Sequence, residues 1–488
     1  EAQADLIVFP QNAVSGYRLG DQWLDEDWCR YVDSFNDVLV AESEDIAIVW
    51  GNIRYRNRRR FNAAFFAYQR QTHMRVKRNT PFTDDARYFE ENPINSAIEY
   101  KDHVFALNFG REIQLTDINI NLDAAMFTLD QDVSLKGNVI YANAVGMQNS
   151  GKEVVVMQGG SGVRIAKKTI YQADWFQEEM HIVELSETKE ELPSQPKLLD
   201  ALLMGIRDFD SQVFGGRVPW IVGMSGGLDS SVTAALLCAA LGKERVYGYN
   251  IATQHNSSTT ISNAAKEAQA LGIHYKEGNM KSLIQASAEL LRQEYGYDVE
   301  EMPSLVMENL QARSRGYLLS GFAGILGGVV VNNGNKVETA LGYCTLYGDS
   351  IGALSVIGDL TKVQLFELSV ALNDRFGKEV IPCNLLPRVH EHGIDWEMPP
   401  SAELKDAQLD PMKWFYHDYL IEHLGLDLTL RAFMESYADG SIWEQDIARW
   451  LSYYGLDDPK AFISDLEWLL TTMAKNSFKR LQLPPLLS

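Results

Sequence analysis

One short stretch, residues 223–231, restricts the fold of this chain more than any other part of the sequence. It reads Gly-Met-Ser-Gly-Gly-Leu-Asp-Ser-Ser, and the apolar run before it, residues 218–222, predicts a buried strand. The residues after it, 232–237, predict a helix. Gly226 and Gly227 permit a tight turn with inward-facing N–H groups, beside the partial positive charge of the helix N-terminus. A strand, a glycine loop and a helix in this order predict a phosphate-binding site.

The side chains of this loop strengthen the phosphate prediction. Ser225 and Ser230 offer hydroxyl groups, and Asp229 offers a carboxylate for a divalent cation held against the phosphates. The loop is not a Walker loop, because the spacing G-x-x-x-x-G-K-[ST] and its lysine are missing. The order Ser-Gly-Gly-x-Asp-Ser resembles the pyrophosphate loop of ATP pyrophosphatases, which release pyrophosphate and leave AMP on a substrate.

Composition and charge exclude several classes of protein. A chain of 488 residues is long enough for at least two domains, and 46% hydrophobic residues suffice for ordinary cores. The formal net charge of −22 argues against a nucleic-acid partner, because phosphate contacts need clustered Lys and Arg. The basic cluster at residues 54–60 is interpreted as a solvated turn between two strands. Since no run of 18 or more apolar residues occurs, we expect no membrane span.

The four cysteines, Cys29, Cys238, Cys344 and Cys383, are scattered and show no C-x-x-C spacing. This pattern predicts neither a zinc site nor a disulfide framework, and it fits a reducing cytoplasm. Cys29 is interpreted as a structural residue on a helix.

Secondary-structure patterns divide the chain into three regions. Residues 1–185 predict an α/β sandwich, with strands at 6–9, 46–50, 62–68, 104–109, 118–122, 139–144 and 154–157. Residues 186–197 are charged and carry two prolines, so they are the predicted linker. Residues 198–488 predict a doubly wound parallel sheet with a helical, aromatic-rich extension beyond residue 410. Its predicted elements are helices at 198–209 and 261–271, and strands at 246–251 and 328–331.

Polar and charged motifs are dense in the second half of the chain. After the Ser-Gly-Gly loop come E-N-x-Q-A-R-x-R at 308–315, G-N-K-x-E at 334–338, G-Y-x-T-L-Y-G-D at 342–349, D-L-x-K at 359–362, P-P-S-A-E-L at 399–404 and Phe-Lys-Arg-Leu-Gln-Leu-Pro-Pro at 478–485. In this order they resemble the synthetase domain of NAD synthetases, over most of residues 196–488. The resemblance implies an adenine-nucleotide α-hydrolase-like fold.

The resemblance also implies a reaction, with ATP and Mg²⁺ required. The nicotinate carboxylate of deamido-NAD attacks the α-phosphate of ATP, pyrophosphate leaves, and ammonia displaces AMP. It implies that Asp229, Lys362 and Asp349 are catalytic and that Asp229 and Glu338 bind the metal. The implied ATP-binding residues are Ser225, Gly226, Gly227, Asp229, Ser230, Arg313 and Ser401. The implied deamido-NAD-binding residues are Asn309, Arg315, Tyr347, Asp349 and Glu403.

Some positions depart from the family pattern. Asn333 and Val337 stand where the family has threonine and serine, which removes hydroxyl groups expected near the nucleotide. Residues 251–258 also differ from the segment that normally follows the second strand. Two alternatives therefore stay open: an adenylylating ligase acting on another carboxylate or amine, and a non-catalytic assembly partner.

The first half resembles the nitrilase-type glutaminase domains that are fused to many NAD synthetases. Five segments in the family order carry the resemblance. They are residues 4–17, residues 62–64, the segment of Lys77 with Thr80-Pro81 and Arg87-Tyr88-Phe89, residues 141–146 and residues 159–161. Such domains use a Glu base, a Lys and a Cys nucleophile to release ammonia from glutamine. By the same pattern, a first strand is expected to precede Glu1, so the natural start of the chain is expected to be missing.

Two of these three catalytic residues, the Glu base and the Cys nucleophile, are absent from the expected positions. Gln11 stands at the base position, Lys77 remains, and the strand around Asn108 has no cysteine. We therefore predict that this domain is a scaffold without glutaminase activity and that ammonia is the nitrogen source. A separate glutaminase is a further candidate partner that would supply this ammonia. The resemblance further implies a homodimer or a larger homo-oligomer, up to an octamer.

Overall fold

The computed structural model describes residues 4–79, 84–92, 97–129, 131–186, 194–252, 258–296, 302–400 and 410–488. The chain forms two compact units, Glu1–Asp208 and Phe209–Ser488. This division falls inside the helix Leu198–Phe214, after the predicted linker at 186–197, of which residues 187–193 lie outside the described residues. The predicted domain bounds 1–185 and 198–488 stay a prediction.

The first unit is built mainly of strands. They are β1 Leu6–Val8, β2 Ala47–Arg56, β3 Arg59–Tyr68, β4 Gln71–Val76, β5 Ile98–Tyr100, β6 His103–Phe109, β7 Ile118–Asp123, β8 Val139–Asn143, β9 Val145–Asn149, β10 Glu153–Gln158, β11 Gly162–Ile165 and β12 Lys168–Gln172. Its helices are α1 Glu26–Ala41 and α2 Asp84–Tyr88, and α3 Leu198–Phe214 runs across the division into the second unit.

Two sheets of the first unit enclose its core. One has the order β1-β2-β3-β4, and the other has the order β12-β11-β8-β7-β6-β5, with parallel pairing at β6, β7 and β8. Val49 and Phe66 from the first sheet pack with Phe105, Leu107 and Ile120 from the second. Alternate residues of a strand face opposite sides, so the inward positions of both sheets bury apolar side chains together. The predicted α/β sandwich is confirmed.

The seven strands predicted from residue 6 to residue 157 are all present, with shifted ends. The sequence missed β4, β5, β9, β11 and β12, which are short and have mixed polar and apolar residues. The basic cluster comprises the end of β2, a hairpin turn and the start of β3. The interpretation as a turn is confirmed for Asn57 and Arg58, which have φ values of 52° and 61°. Positive φ at both central positions gives a turn whose twist matches that of the strands.

The second unit begins with a parallel sheet. Its strands are β13 Trp220–Gly223, β14 Val246–Ala252, β15 His274–Asn279 and β16 Val329–Val330, in the order β15-β14-β13-β16. The helices around them are α4 Leu228–Leu241, α5 Ser258–Leu271, α6 Lys281–Tyr295, α7 Ser304–Leu326, α8 Lys336–Leu341 and α9 Lys362–Phe376. The predicted helices and strands of this region are confirmed, and β15 was not predicted.

A helical extension with two short hairpin strands completes the second unit. It contains β17 Arg388–His390, β18 Gly393–Asp395, α10 Tyr416–His423, α11 Leu430–Asp439, α12 Ala448–Tyr453, α13 Pro459–Lys475, α14 Ser477–Arg480 and β19 Leu486–Leu487. Aromatic residues such as Trp414, Tyr416, Phe433 and Trp450 form its core. Within the parts of the chain that the structure describes, no helix is both long and apolar enough to cross a bilayer.

The strand order of the parallel sheet creates a crevice. From β13, the chain adds β14 and β15 on one side and β16 on the other. At such a reversal, the loops leaving the carboxyl ends of the two central strands separate and open a ligand site. At this crevice, the loop of residues 224–227 follows β13 and the loop of residues 331–335 follows β16.

Candidate functional site

The glycine loop after β13 has the predicted strand–loop–helix geometry. Gly226 has a φ of +82°, and a Cβ at this position would lie 1.9 Å from the carbonyl oxygen of Thr260. The Oγ atoms of Ser225 and Ser230 lie 3.1 Å apart, and the Ser225 N–H donates to Ser230 Oγ at 3.2 Å. Gly227 is the N-cap of α4 and supplies no side-chain cap to its first N–H groups. The structure therefore brings together four of the five loop residues that were predicted to bind ATP, namely Ser225, Gly226, Gly227 and Ser230.

Three elements meet at Asp229 in the first turn of α4. Its Oδ2 accepts a hydrogen bond from Lys362 Nζ at 2.6 Å, and its Oδ1 accepts one from Asn335 Nδ2 at 3.1 Å. Lys362 is the first residue of α9 and is buried, and Asn335 is the N-cap of α8. The structure thus joins the predicted catalytic residues Asp229 and Lys362 directly.

Glu338 lies beside this pair. Its Oε2 accepts the N–H of Asn335 at 3.2 Å in a capping box at the start of α8. Burial and the charge of Asp229 raise the pKa of Glu338 well above its usual range, against the effect of Lys362. Burial alone would lower the pKa of Lys362, but the charges of Asp229 and Glu338 raise it, so the ammonium stays charged.

The donor set fits a magnesium ion that arrives with a nucleotide. Asp229 and Glu338 are the two carboxylates in the crevice that the sequence assigned to the metal. No group of three or more His, Cys, Asp or Glu that suits a metal exists among the described residues. Mg²⁺ is usually held by one or two carboxylates and completed by phosphate oxygens and water. Two carboxylates beside a phosphate loop match that requirement.

A second group of predicted residues lies on α7 and on the loop at 342–349. Thr345 donates its hydroxyl to Asn309 Oδ1 at 2.7 Å and its N–H to Asp349 Oδ1 at 2.6 Å. Arg313 Nε donates to the Leu346 carbonyl at 3.2 Å. The helix and the loop approach closely at Gly316, where a Cβ would lie 2.7 Å from the Gly348 carbonyl oxygen.

Other members of the second group lie at its edges. Arg315 Nε donates to the carbonyl oxygen of Ile251, near the carboxyl end of β14, at 3.2 Å. Tyr347 is 71% exposed, and its hydroxyl donates to Gln482 Oε1 at 3.2 Å. Asn332, two residues after the end of β16, donates to the Asp349 carbonyl at 2.9 Å and connects this group to the crevice.

In the first unit, Gln11 and Lys77 are in contact. Lys77 Nζ donates to Gln11 Oε1 at 3.2 Å and forms an ion pair with Asp85 Oδ2 at 2.8 Å. Asp85 also accepts hydrogen bonds from Asn62 Nδ2 and from the Tyr17 hydroxyl, each at 2.9 Å. The lysine ammonium is therefore neutralised by a carboxylate rather than placed beside a thiol.

Asn108 does not join Gln11 and Lys77. It lies in a separate buried amide network, in which it donates to Asn119 Oδ1 at 2.8 Å and accepts from Gln114 Nε2 at 2.6 Å. The residue of β6 that faces the lysine is Phe109, whose ring centroid lies 6.0 Å from Lys77 Nζ. Assigning Asn108 to this site was wrong by one residue, because consecutive side chains of a strand point to opposite faces.

The cysteine of the first unit lies in a hydrophobic cluster with Trp23 and Val32. Cys29 is buried on α1, and its Sγ donates to the Trp23 carbonyl at 3.2 Å. Its structural role was predicted and is confirmed. All four cysteines are free in the structure.

Comparisons with known proteins agree on one family for the second unit. The family model described as NAD synthase matches residues 214–426. Over these residues the second unit is similar to NAD synthases. The glutamine-dependent NAD(+) synthetase of Acinetobacter baylyi is 28% identical over 469 residues, which cover 88% of this chain and 82% of that protein. That of Thermotoga maritima is 34% identical over 245 residues, which cover 50% of this chain and 39% of that protein.

Solved structures show the same two-part architecture. The glutamine-dependent NAD+ synthetase of Acinetobacter baumannii, in complex with ADP, is 25% identical, with a TM-score of 0.69 over 93% of this chain and 86% of that one. The enzyme of the same name from Cytophaga hutchinsonii shares the fold, with 14% identity and a TM-score of 0.71 over 100% of this chain and 89% of that one. The fold class is confirmed as an α/β sandwich followed by a parallel-sheet α/β unit with a helical extension.

The two departures from the family pattern differ in their surroundings. Asn333 lies at the crevice of the second unit, where its Nδ2 donates to the Gly223 carbonyl at 2.9 Å. Its Oδ1 is buried and has no hydrogen-bond partner among the described residues. Val337 is fully buried in the core of the helical extension. The expectation that a missing hydroxyl at 337 changes the nucleotide site stays a prediction. Ser401, Glu403 and residues 253–257 lie outside the described residues.

The sequence did not identify three residues around Asp229 and Lys362. Asn335 was inside the G-N-K-x-E motif, but its bond to Asp229 depends on the approach of α8 to α4. Trp414 and Asp418 both contact Lys362 from the helical extension. The only sequence signal for them was the density of aromatic residues beyond residue 410, which is also the pattern of an ordinary core.

A buried carboxyl group beneath the glycine loop gives a pH-dependent prediction. Ser231 donates its hydroxyl to Glu267 Oε2 at 2.7 Å, and burial raises the pKa of Glu267 from 4.5 to about 8. Between these two values the folded state keeps a proton that the unfolded state releases, so this group lowers stability as pH rises. We expect Glu267→Gln to match the wild type near pH 4.5 and to be more stable by up to about 5 kcal/mol above pH 8.

Thermal unfolding across that pH range measures the effect. The exposed carboxylate Glu294, on α6 of the same unit, provides the control substitution Glu294→Gln. We expect the control to show no pH-dependent difference from the wild type. A constant difference between Glu267→Gln and the wild type at every pH would contradict the prediction.

Proposed function

We propose that the second unit amidates deamido-NAD to NAD with ATP, through an adenylylated intermediate, and releases AMP and pyrophosphate. The observation that carries this proposal is the meeting of the glycine loop, Asp229 and Lys362 at the carboxyl ends of β13 and β16. A phosphate loop, a carboxylate and a buried ammonium in one crevice are the groups that an attack on a phosphate requires.

The roles follow from charge. A carboxylate is a poor electrophile, so attaching AMP gives it a good leaving group. The ammonium of Lys362, oriented by Asp229, stabilises the negative charge that develops on the reacting phosphate. Asp229 and Glu338 are the proposed ligands of Mg²⁺, which when bound neutralises phosphate charge.

The remaining residues are proposed to bind the two substrates. Pyrophosphate is held by the loop N–H groups and the hydroxyls of Ser225 and Ser230, with Arg313 and Ser401 as further ATP contacts. Deamido-NAD is proposed to contact the group on α7 and the loop at 342–349, namely Asn309, Arg315, Tyr347 and Asp349, together with Glu403.

We propose ammonia as the nitrogen source. Glutamine hydrolysis of the nitrilase type needs a carboxylate base and a thiolate. Gln11 has no carboxylate, and Phe109 faces Lys77 where a nucleophile would be needed. Lys77 is held instead by Gln11 and Asp85. The first unit is proposed to be a scaffold, in contrast to the relatives that are named glutamine-dependent.

The protein is also proposed to work in the cytoplasm as a homodimer or a larger homo-oligomer. Tyr317 and Ile325 on α7 are 70% and 81% exposed, which supports burial of this helix against another copy. A measured mass of the single chain at micromolar concentration would contradict this part of the proposal.

A second candidate function keeps the adenylylation but changes the carboxylate. The unpartnered Oδ1 of Asn333 favours it, because an extra acceptor at the crevice selects for a donor on the substrate. A non-catalytic role is disfavoured by the intact contact between Asp229 and Lys362.

One assay separates these functions. The purified chain is incubated with ATP, Mg²⁺, ammonium and deamido-NAD, and NAD, AMP and pyrophosphate are quantified. We expect the three products in equal amounts. AMP formation only with another acid, such as nicotinate mononucleotide, would support the second candidate, and no turnover with any acid would support the non-catalytic role.

A further inference from the structure

Lys362 is held at its main chain by the helical extension. It is the first residue of α9, so its N–H has no partner within the helix. Asp418 Oδ1, on α10, accepts this N–H at 2.6 Å, and Asp418 Oδ2 accepts the N–H of Phe415, also at 2.6 Å. The Asp418 side chain therefore joins the start of α9 to the turn that begins α10.

The other end of Lys362 is covered by an aromatic ring. The Nζ atom lies 4.8 Å from the ring centroid of Trp414, which is buried with the lysine. An ammonium is attracted to the face of an indole at this distance. Because Asp229 binds the same Nζ at 2.6 Å, the carboxylate and the ring together restrict where the ammonium points.

The turn that carries Trp414 and Asp418 is itself held in an unfavourable conformation. Phe415, between them, has a φ of +70°, which is rare for a residue with a bulky side chain. Its ring stacks on Trp450 at a centroid distance of 4.3 Å. Backbone strain of this kind persists only where surrounding contacts impose it, and it is often found at functional sites.

A buried polar cluster fixes the turn from behind. Asp465 on α13 accepts from Lys413 Nζ, and it lies 3.0 Å from His417 Nε2. The Lys413 N–H donates to His417 Nδ1 at 3.0 Å, which places the ring proton on Nε2, toward Asp465. The residues on both sides of Trp414 and Phe415 are therefore anchored to α13.

We propose that Trp414 and Asp418 are positioning residues for Lys362, so that the helical extension forms part of the active site. Asp418 fixes the position of the lysine main chain, and Trp414 fixes the direction of its ammonium toward the reacting phosphate. This inference rests on the proposed function.

The test compares Trp414→Leu with Trp414→Phe, which keeps an aromatic face. With deamido-NAD, ATP and ammonium, we expect Trp414→Leu to lower kcat at least tenfold with KM for ATP within threefold. Trp414→Phe is expected to recover most of the lost kcat, and Asp418→Asn to lower kcat with KM again unchanged. Trp443→Leu, a half-exposed tryptophan of the same extension, is the control and is expected to leave kcat unchanged.

A double-mutant cycle tests the contact without any assay of activity. If Trp414 acts on the ammonium, the losses of Tm in Trp414→Leu and Lys362→Met are not additive in the double variant. We expect the double variant to lose at least about 2 °C less than the sum of the single losses. Additive losses, or a kcat in Trp414→Leu within twofold of the wild type, would overturn the inference. If the wild type is inactive but the losses of Tm are non-additive, the proposed function is contradicted while the contact between Trp414 and the Lys362 ammonium is supported.

Discussion

Asp229→Asn is expected to lower kcat for NAD formation about a thousandfold. The substitution keeps the shape of the side chain but removes the charge that holds Lys362 Nζ at 2.6 Å and that is proposed to bind Mg²⁺. It also leaves the buried ammonium of Lys362 without its carboxylate partner, so the lysine is expected to lose its orientation. The measurement is the steady-state rate of NAD production with ammonium and saturating ATP.

Asp427→Asn is the matched control for this variant. Asp427 is an exposed carboxylate of the same unit, and its partner is His423 at 3.1 Å. Surface ion pairs of this kind contribute little to stability, so we expect activity within twofold of the wild type. An Asp229→Asn protein with more than a tenth of the wild-type kcat would remove Asp229 from the catalytic site.

Gly226→Ala is expected to cost about 4 kcal/mol or more in the stability of the second unit. A Cβ here would lie 1.9 Å from the carbonyl oxygen of Thr260, and the backbone has a φ of +82°. The atom in the way belongs to the backbone of α5, so it has no flexible side chain that can move aside. Either the loop or the start of α5 must shift, and both line the crevice.

Chemical denaturation measures this cost, with Gly216→Ala as the control. Gly216 has a similar φ of +73°, but a Cβ there meets no atom within 4 Å. The control therefore isolates the penalty of the left-handed backbone, which is about 1 kcal/mol. Equal losses in the two variants would show that the contact with Thr260 is not the cause.

Local patterns were sufficient to find the glycine loop and most strands of the sheets. The apolar run before the loop, its paired glycines and the helix after it are adjacent in sequence, so their geometry follows from short-range rules. The strands β4 and β12 were not predicted because polar residues interrupt their apolar alternation. The strand β5 was not predicted because its three residues are too few to show a pattern. Their pairing with neighbouring strands decides their structure, and that information is not local.

The contacts of the site are long-range, and residue spacing does not reveal them. Asp229 and Lys362 are 133 residues apart, and only the resemblance to a family placed them in one site. Trp414 reaches Lys362 through the packing of the helical extension, which no motif describes. The assignment of Asn108 instead of Phe109 failed for a related reason. Because the expected cysteine is absent, the sequence alone did not decide whether residue 108 or residue 109 of β6 occupies its position in the family motif.

The source of nitrogen tests the central claim most directly. The wild-type chain is given ATP, Mg²⁺, deamido-NAD, ¹⁵N-ammonium and unlabelled glutamine at equal concentrations, and the NAD formed is analysed by mass spectrometry. A second reaction contains glutamine alone. We predict that the NAD carries ¹⁵N and that the reaction with glutamine alone stays at background. Unlabelled NAD from glutamine, formed at a rate comparable to that with ammonium, would contradict the account.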